Sequence, residues 1–188
     1  MALVKQAIDR LRLLAGVVDA SMARDDAWRF LELGRHVERL QQQIVLLDVW
    51  DRIGRRGNDG GSMSWADLLR VCGAFEPYRR DRSLALRRGA VLGFLIRSPE
   101  VARSLRFATD RIDGLLRGID PIGARHPLAA PHRLVLRMAA SLEMDLATDE
   151  PEAEAVSIFE TLTGGSRELY EVLLETYVDY PVTTGLPS

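Results

Sequence analysis

The stretch Phe30-Leu31-Glu32-Leu33-Gly34-Arg35-His36-Val37-Glu38-Arg39-Leu40-Gln41-Gln42-Gln43-Ile44-Val45-Leu46-Leu47 decides the fold. Phe30, Leu33, Val37, Leu40, Ile44 and Leu47 recur at steps of 3, 4, 3, 4 and 3, which puts them on one face of an α-helix as a heptad seam. Asp25 or Asp26 can cap the start of this helix, and the seam continues through Trp50 to Ile53. The glycine-rich run 54–61 then predicts a break. Upstream, Val4, Ile8, Leu11, Ala15, Val18 and Met22 repeat the same spacing and predict a first helix ending near Arg24.

Downstream the same grammar continues. Ser64-Trp65-Ala66-Asp67 has the form of a capping box, a hydroxyl followed three residues later by a carboxylate, and predicts a third helix running to about Glu76. Pro77 marks a boundary there, and a fourth helix is expected over 82–96. Ser98-Pro99-Glu100 predicts the start of a fifth helix reaching about Gly118, since it places a capping hydroxyl, a first-turn proline and a carboxylate in order. Residues 120–131 hold three prolines and Gly123 and read as a loop. Pro131 opens a sixth helix ending near Thr148, and Pro151 opens a last one, hinged at Gly164-Gly165 and resuming through Tyr180. No segment has the alternation or the β-branched content of a strand. The expectation is an all-α protein, an antiparallel bundle of about six to seven helices. It forms one domain over 1–188, with signature-bearing helices in 1–119, the loop at 120–131 and acidic C-terminal helices in 132–188.

With 188 residues and 47% of them hydrophobic, the chain can bury a real core without disulfide or metal. Its one cysteine, Cys72, excludes an intrachain disulfide and lies in an apolar helical stretch, which reads as a core position in a cytoplasmic protein. Lys5, Asp9, Arg10 and Arg12 interrupt the opening residues, so no signal peptide is expected, and no run is long enough to span a membrane.

Charge is unevenly distributed. Residues 1–140 hold 24 Lys and Arg against 16 Asp and Glu, net +8, while 141–188 hold 1 against 11, net −10. Either the acidic segment packs across the basic body and neutralises it, or a basic face is left for an anionic partner. Lys5 is the only lysine among the 25 basic residues, so almost every cation is a guanidinium fork suited to carboxylate or phosphate.

Three clusters are candidates for function. Arg35, Glu38 and Arg39 stand at i, i+3 and i+4, with Arg29 and Glu32 upstream, and read either as a clamp for an acidic group or as an ion-pair network within the bundle. Gly34 beside them is expected to let a neighbouring helix approach closely. Arg79 and Arg80 follow Tyr78 in a second basic run; without interleaved aromatics they do not make a nucleic-acid surface, and no nucleic-acid partner is expected. Arg103 and Ser104 form the third, with no histidine near enough in sequence to activate the hydroxyl, so a packing serine is the plainer reading. His36, His126 and His132 lack metal-ligand spacing, no phosphate-binding glycine loop follows a strand, and neither metal nor cofactor is expected. Trp28, Trp50 and Trp65 read as core or interface anchors.

Residues 25–47 resemble the alpha-E pattern of Trp-Arg-Phe-Leu followed by Gly-Arg-x-x-Glu-Arg, here Trp28-Arg29-Phe30-Leu31 and Gly34-Arg35-His36-Val37-Glu38-Arg39. Phe75-Glu76-Pro77-Tyr78-Arg79-Arg80 and Phe94-Leu95-Ile96-Arg97-Ser98-Pro99, followed by Arg103-Ser104-Leu105, match later blocks of that family in order. The likeness covers about residues 5–115 by motif and the acidic remainder by helix pattern alone, and the signature helix corresponds to the second of two in that family. Leu40 stands where alanine is usual, and Ala102 where proline is. The resemblance implies a bacterial helical domain found with circularly permuted ATP-grasp proteins, whose associated chemistry is ATP-driven amide or peptide ligation.

Three functional expectations follow. The first is a non-catalytic partner of an ATP-grasp-type ligase that holds an acidic peptide or docking surface through Arg35, Arg39, Arg79, Arg80 and Arg103. The second is an enzyme component with Glu38 as general base and the arginines as anion clamp. The third is a homodimer formed through the heptad seam.

Overall fold

A computed structural model describes residues 2–55, 64–81, 86–119, 130–144 and 151–178. These residues form eight helices and no strand: α1 (Ala2–Ser21), α2 (Asp26–Arg55), α3 (Trp65–Val71), α4 (Phe75–Asp81), α5 (Arg88–Arg97), α6 (Leu105–Ile119), α7 (Ala130–Met144) and α8 (Pro151–Tyr177). The all-α expectation holds, with one helix more than the upper count.

Four of them close a ring in which α2 packs on α6, α6 on α7, α7 on α8 and α8 on α2. Residue pairs across each seam fix the directions. Arg29 lies against Gly118 while His36 faces Phe107, so α2 and α6 run antiparallel. Arg106 pairs with Glu143 and His132 lies near Asp113 across α6 and α7; Met138 meets Gly165 across α7 and α8. Gln41 donates to the Ser166 carbonyl while Phe30 meets Tyr177 across α8 and α2. Leu33, Val37, Leu40, Ile44, Leu47 and Trp50 of the seam are all buried in the centre of this ring. From Leu33 to Trp50 the seam is therefore buried within one chain, which leaves only its ends, Phe30 and Ile53, exposed for the self-association that the sequence suggested. Phe30, its first member, stays 40% exposed.

The predicted third helix is two. Gly73 takes φ +63°, its N–H donates to Arg70 O and that of Ala74 to Leu69 O. This paired closure is a Schellman motif; it ends α3 at Val71, with Cys72 as the capping residue. The predicted cap at Ser64 is present in full, with Asp67 N–H donating to Ser64 Oγ and Ser64 N–H donating to Asp67. Pro77 falls in the first turn of α4, where a missing N–H costs nothing, and is no boundary.

The start proposed at Ser98 is also displaced. Residues 98–104 form a turn, and α6 begins at Leu105. Ser104 Oγ accepts from Phe107 N–H at 3.0 Å and donates to the Ser98 carbonyl, so the later hydroxyl is the cap. Burial of Val101 pins the turn between them. Val91 to Ile96 of α5 are buried on every side, as for a helix enclosed by neighbours. Asp51 of α2, almost wholly buried, accepts from Arg88 Nε at 2.5 Å and ties the start of α5 to the bundle.

Helix α8 runs unbroken through Gly164 and Gly165, so the expected hinge is absent. A Cβ on Gly165 would sit 3.1 Å from Met138 Cγ, which makes that glycine a close-packing position between α7 and α8. Asp25 Oδ1 accepts from Trp28 N–H at 3.1 Å and caps α2 as expected. Of the break expected over 54–61, residues 54 and 55 still belong to α2, and of the loop expected over 120–131, residues 130 and 131 already belong to α7; the remainder of both, and the ends proposed at Thr148 and Tyr180, lie outside the described residues.

Helix α1 stands apart: it has the predicted amphipathic pattern but buries no side chain. Among the described residues, no helix is long and apolar enough to cross a membrane.

Candidate functional site

One face of α2 carries a second stripe beside the seam: Trp28, Glu32, His36 and Arg39, at steps of 4, 4 and 3. Opposite it, α6 presents Phe107, Asp110, Arg111, Gly114 and Leu115. Together with Asp19 from the end of α1 and Ala102 from the 98–104 turn they enclose a cavity of about 560 Å³. That is a volume typical of small-ligand pockets.

The electrostatics of this cavity are asymmetric. Each of its carboxylates is met by an arginine that does not line it. Asp19 pairs with Arg24 at 3.0 Å, Glu32 with Arg35 at 2.6 Å, and Asp110 with Arg106 at 2.8 Å. The two guanidiniums that do line it, Arg39 and Arg111, have no carboxylate partner among the described residues; Arg111 lies 5.2 Å over the Phe107 ring. The cavity therefore presents uncompensated positive charge, and its geometry suits an anion.

Two of the cavity's lining residues each hold a buried nitrogen without a hydrogen-bond partner among the described residues, Trp28 Nε1 and His36 Nδ1. Burial first, and then the Arg39 guanidinium, hold His36 below the ordinary imidazole range, so its ring is neutral at pH 7. The Glu32 carboxylate, 3.8 Å from His36 Nε2, opposes that shift only in part.

The residues singled out in the sequence do not converge on this cavity. Arg39 lines it, whereas Arg35 sits behind it on Glu32. Glu38, exposed, accepts from Gln42 at 2.9 Å and faces the other way, into an apolar groove between α2 and α8 lined by Phe30, Leu33, Gly34, Val37, Leu173, Leu174 and Tyr177 among others. Arg80 lines a third hollow with Gly93, Arg97, Pro99 and Glu100. Arg79 is exposed, 3.9 Å from Glu76. Arg103 is exposed and reaches toward the Val71 carbonyl, and Ser104 is the buried cap already described. His36 and His132 lie on different helices, and His126 is outside the described residues.

Sequence reading missed Trp28, His36 and Arg111 as members of one site. The spacing of Trp28, Glu32, His36 and Arg39 was the available signal; nothing in the sequence linked it to Arg111. Gly34 receives no helix among the described residues, since a Cβ there would meet nothing within 4 Å. The acidic C-terminal part does pack on the basic body, with α8 against α2 and α7 and Arg137 paired to Glu168. It leaves Arg39, Arg80 and Arg111 without carboxylate partners among the described residues.

The fold and this cavity define a helical bundle with a cationic pocket walled by its longest helix. A family model described as "a predicted alpha-helical domain with a conserved ER motif" matches residues 2–178, and the chain belongs to this family, Alpha-E. The match extends through α8, well beyond the 5–115 span that the motifs suggested. Glu-Arg occurs once in the sequence, at Glu38-Arg39. No curated protein and no solved structure matches the chain.

Proposed function

We propose that the chain is a non-catalytic accessory domain of an ATP-grasp-type amide or peptide ligase system, and that it holds an acidic side chain of a peptide or partner at Arg39 and Arg111. The observation that carries the reading is the charge arrangement of the α2–α6 cavity, where outside arginines neutralise every carboxylate and the two lining arginines are left for a ligand. Arg39 is half of the Glu-Arg pair, which gives the family's motif a role that core packing does not explain. The ATP-grasp association rests on the family resemblance alone.

A glutamate-rich peptide titrated against the tryptophan fluorescence of a Trp50→Phe/Trp65→Phe background, in which Trp28 alone emits, tests the site. Arg39→Ala and Arg111→Ala are each expected to weaken binding by about tenfold or more, since a hydrogen bond to a charged group contributes roughly 1.5–3 kcal/mol. Capture of an ATP-grasp protein by the wild type and not by the double variant tests the partnership. Equal binding by wild type and double variant would remove both.

The enzyme reading has one observation in its favour: Glu38 is not locked to Arg35 or Arg39. Its geometry is unfavourable all the same. Adjacent residues on a helix point about 100° apart, and no arginine lines the groove that Glu38 faces. Base and clamp would act on different ligands. Ligation activity in the isolated chain that Glu38→Gln abolishes would restore this reading.

A further inference from the structure

Two apolar surfaces have no partner among the described residues. The first is α1. Val4, Ile8, Leu11 and Ala15 form its centre and Leu3, Leu14 and Val17 its edge, a face covering between a third and half of the helix circumference. Leu3 is 80% exposed, Leu11 65% and Leu14 59%. The second is the α2–α8 groove, of about 440 Å³, with Gly34 in its wall and Phe30 and Tyr177 meeting edge to face at one end. A glycine in the middle of a 30-residue helix, with open space where its Cβ would be, lets another helix lie close against α2.

We propose that two copies of the chain associate by exchanging α1, the apolar face of each α1 lying in the α2–α8 groove of the other copy. This goes beyond the proposed function and does not depend on it.

Three features argue for a second copy as the occupant. The first is charge. Exposed Glu38 lines the groove, and exposed Glu171 and Glu175 lie one turn from its lining residues Leu174 and Val178; against them stands exposed Arg167, one turn from Tyr170, so carboxylates outnumber the cation there. On α1, Lys5 and Arg12 flank one edge of the apolar face and Arg10 the other, with Asp9 the only acidic residue in the first four turns. A basic-edged helix thus fits an acidic-edged groove.

The second is direction. The end of α1 is held on the α6 side of α2, where Asp19 lines the cationic cavity and Arg24 lies 4.4 Å over the Trp28 ring. The groove opens on the α8 side, away from the α1 of its own chain.

The third is area. The groove walls run over residues 30–41 of α2 and 170–178 at the end of α8, about 12–17 Å at 1.5 Å per residue, so covering a third to a half of the circumference of that length of α1 and the matching wall, twice by symmetry, removes roughly 550–1,150 Å² from water. That is the size of a weak, reversible interface. The exchange is isologous and closes at two copies, so it gives a dimer and no longer polymer.

Sedimentation velocity on the full chain at micromolar concentration tests it. The wild type is expected at twice the monomer mass. Leu11→Gln with Leu14→Gln changes only exposed side chains and keeps helix-compatible residues; Gly34→Arg fills the groove and places a cation where the basic helix would lie. Each set is expected to weaken the dimer by about tenfold or more while circular dichroism and the melting transition of the bundle are retained. Mixing the two variants should recover association in part, because one intact α1 then meets one intact groove. A wild type at monomer mass overturns the proposal. So does a dimer indifferent to either set, and so does a dimer lost with the α1 set but untouched by Gly34→Arg, which would mean α1 pairs with α1.

Discussion

Gly34→Ala should make the protein more stable, and the reasoning can be checked by comparing it with three other glycines. Gly34 lies in the interior of α2 with ordinary helical backbone, is exposed, and would carry a Cβ that meets nothing within 4 Å. Replacing it removes the backbone freedom of glycine in the unfolded chain and introduces no clash, a gain of about 0.5–1 kcal/mol. In a chain of 188 residues that corresponds to roughly 1–4 °C in melting temperature. Gly164 of α8 is equally open, so Gly164→Ala should gain a similar amount. Gly165→Ala should gain nothing or lose, because its Cβ would press on Met138 Cγ at 3.1 Å and Sδ at 3.3 Å. Gly73→Ala should lose about 1–2 kcal/mol, because φ +63° is a left-handed conformation that a side chain opposes. Urea unfolding at matched protein concentration measures all four, reading the midpoint with the slope unchanged. A Gly34→Ala destabilised at a dilution where the chain is monomeric, or ranking there with Gly165, would refute the open-helix account and mean that something packs against that position within one chain.

Three further predictions concern buried polar groups. Arg88→Ala removes the guanidinium that donates to the Asp51 carboxylate, which is 1% exposed, and should cost about 1.5–3 kcal/mol; the double change Asp51→Leu/Arg88→Met should cost less than that single, and a harmless single would refute the pair's importance. His36 is held neutral, so below about pH 6.5 the unfolded chain binds a proton that the folded one resists; stability present above that pH is lost as pH falls toward the folded value, at up to about 1.4 kcal/mol per unit. Urea midpoints of wild type and His36→Gln over pH 5 to 8 should therefore diverge on the acid side, and parallel curves would count against it. The Cys72 thiol, pushed up by burial and contacted by Gln43 Nε2 at 3.1 Å, should resist a thiol reagent in native buffer and react at the rate of unfolding; prompt labelling would contradict its place in the core.

Where helix formation is decided by neighbours along the chain, it was legible. The 3-4 spacing from Leu33 to Leu47 and the Ser64–Asp67 box needed nothing beyond a few residues of context, and both appear as read. The misreadings came from competing local signals. Ser98-Pro99-Glu100 and Ser104 are both acceptable starts, and the choice was made by Val101 entering the core and by the Ser104 bond to the Ser98 carbonyl. Gly73 was available as a stop signal but was passed over for Pro77, which a first turn accommodates. The site was less legible than the fold, for a geometric reason. Its two halves lie on α2 and α6, about seventy positions apart, and their meeting is a property of bundle packing. Charge alone could not separate Arg35, which is spent on Glu32, from Arg39, which is not.

The placement of Glu38 and Arg39 on opposite flanks of α2 has a consequence for how the gene can change length. One residue added or removed between Glu32 and Glu38 turns the preceding part of the helix by about 100° relative to the rest. Trp28 and Glu32 would leave the cavity that Arg39 lines, and Phe30 would leave the groove that Glu38 lines. Both surfaces would be lost in one event, whatever residue was inserted. The twelve positions from Trp28 to Arg39 thus act as a ruler as well as a set of side chains, and insertions or deletions in relatives should be confined to the stretches before and after it.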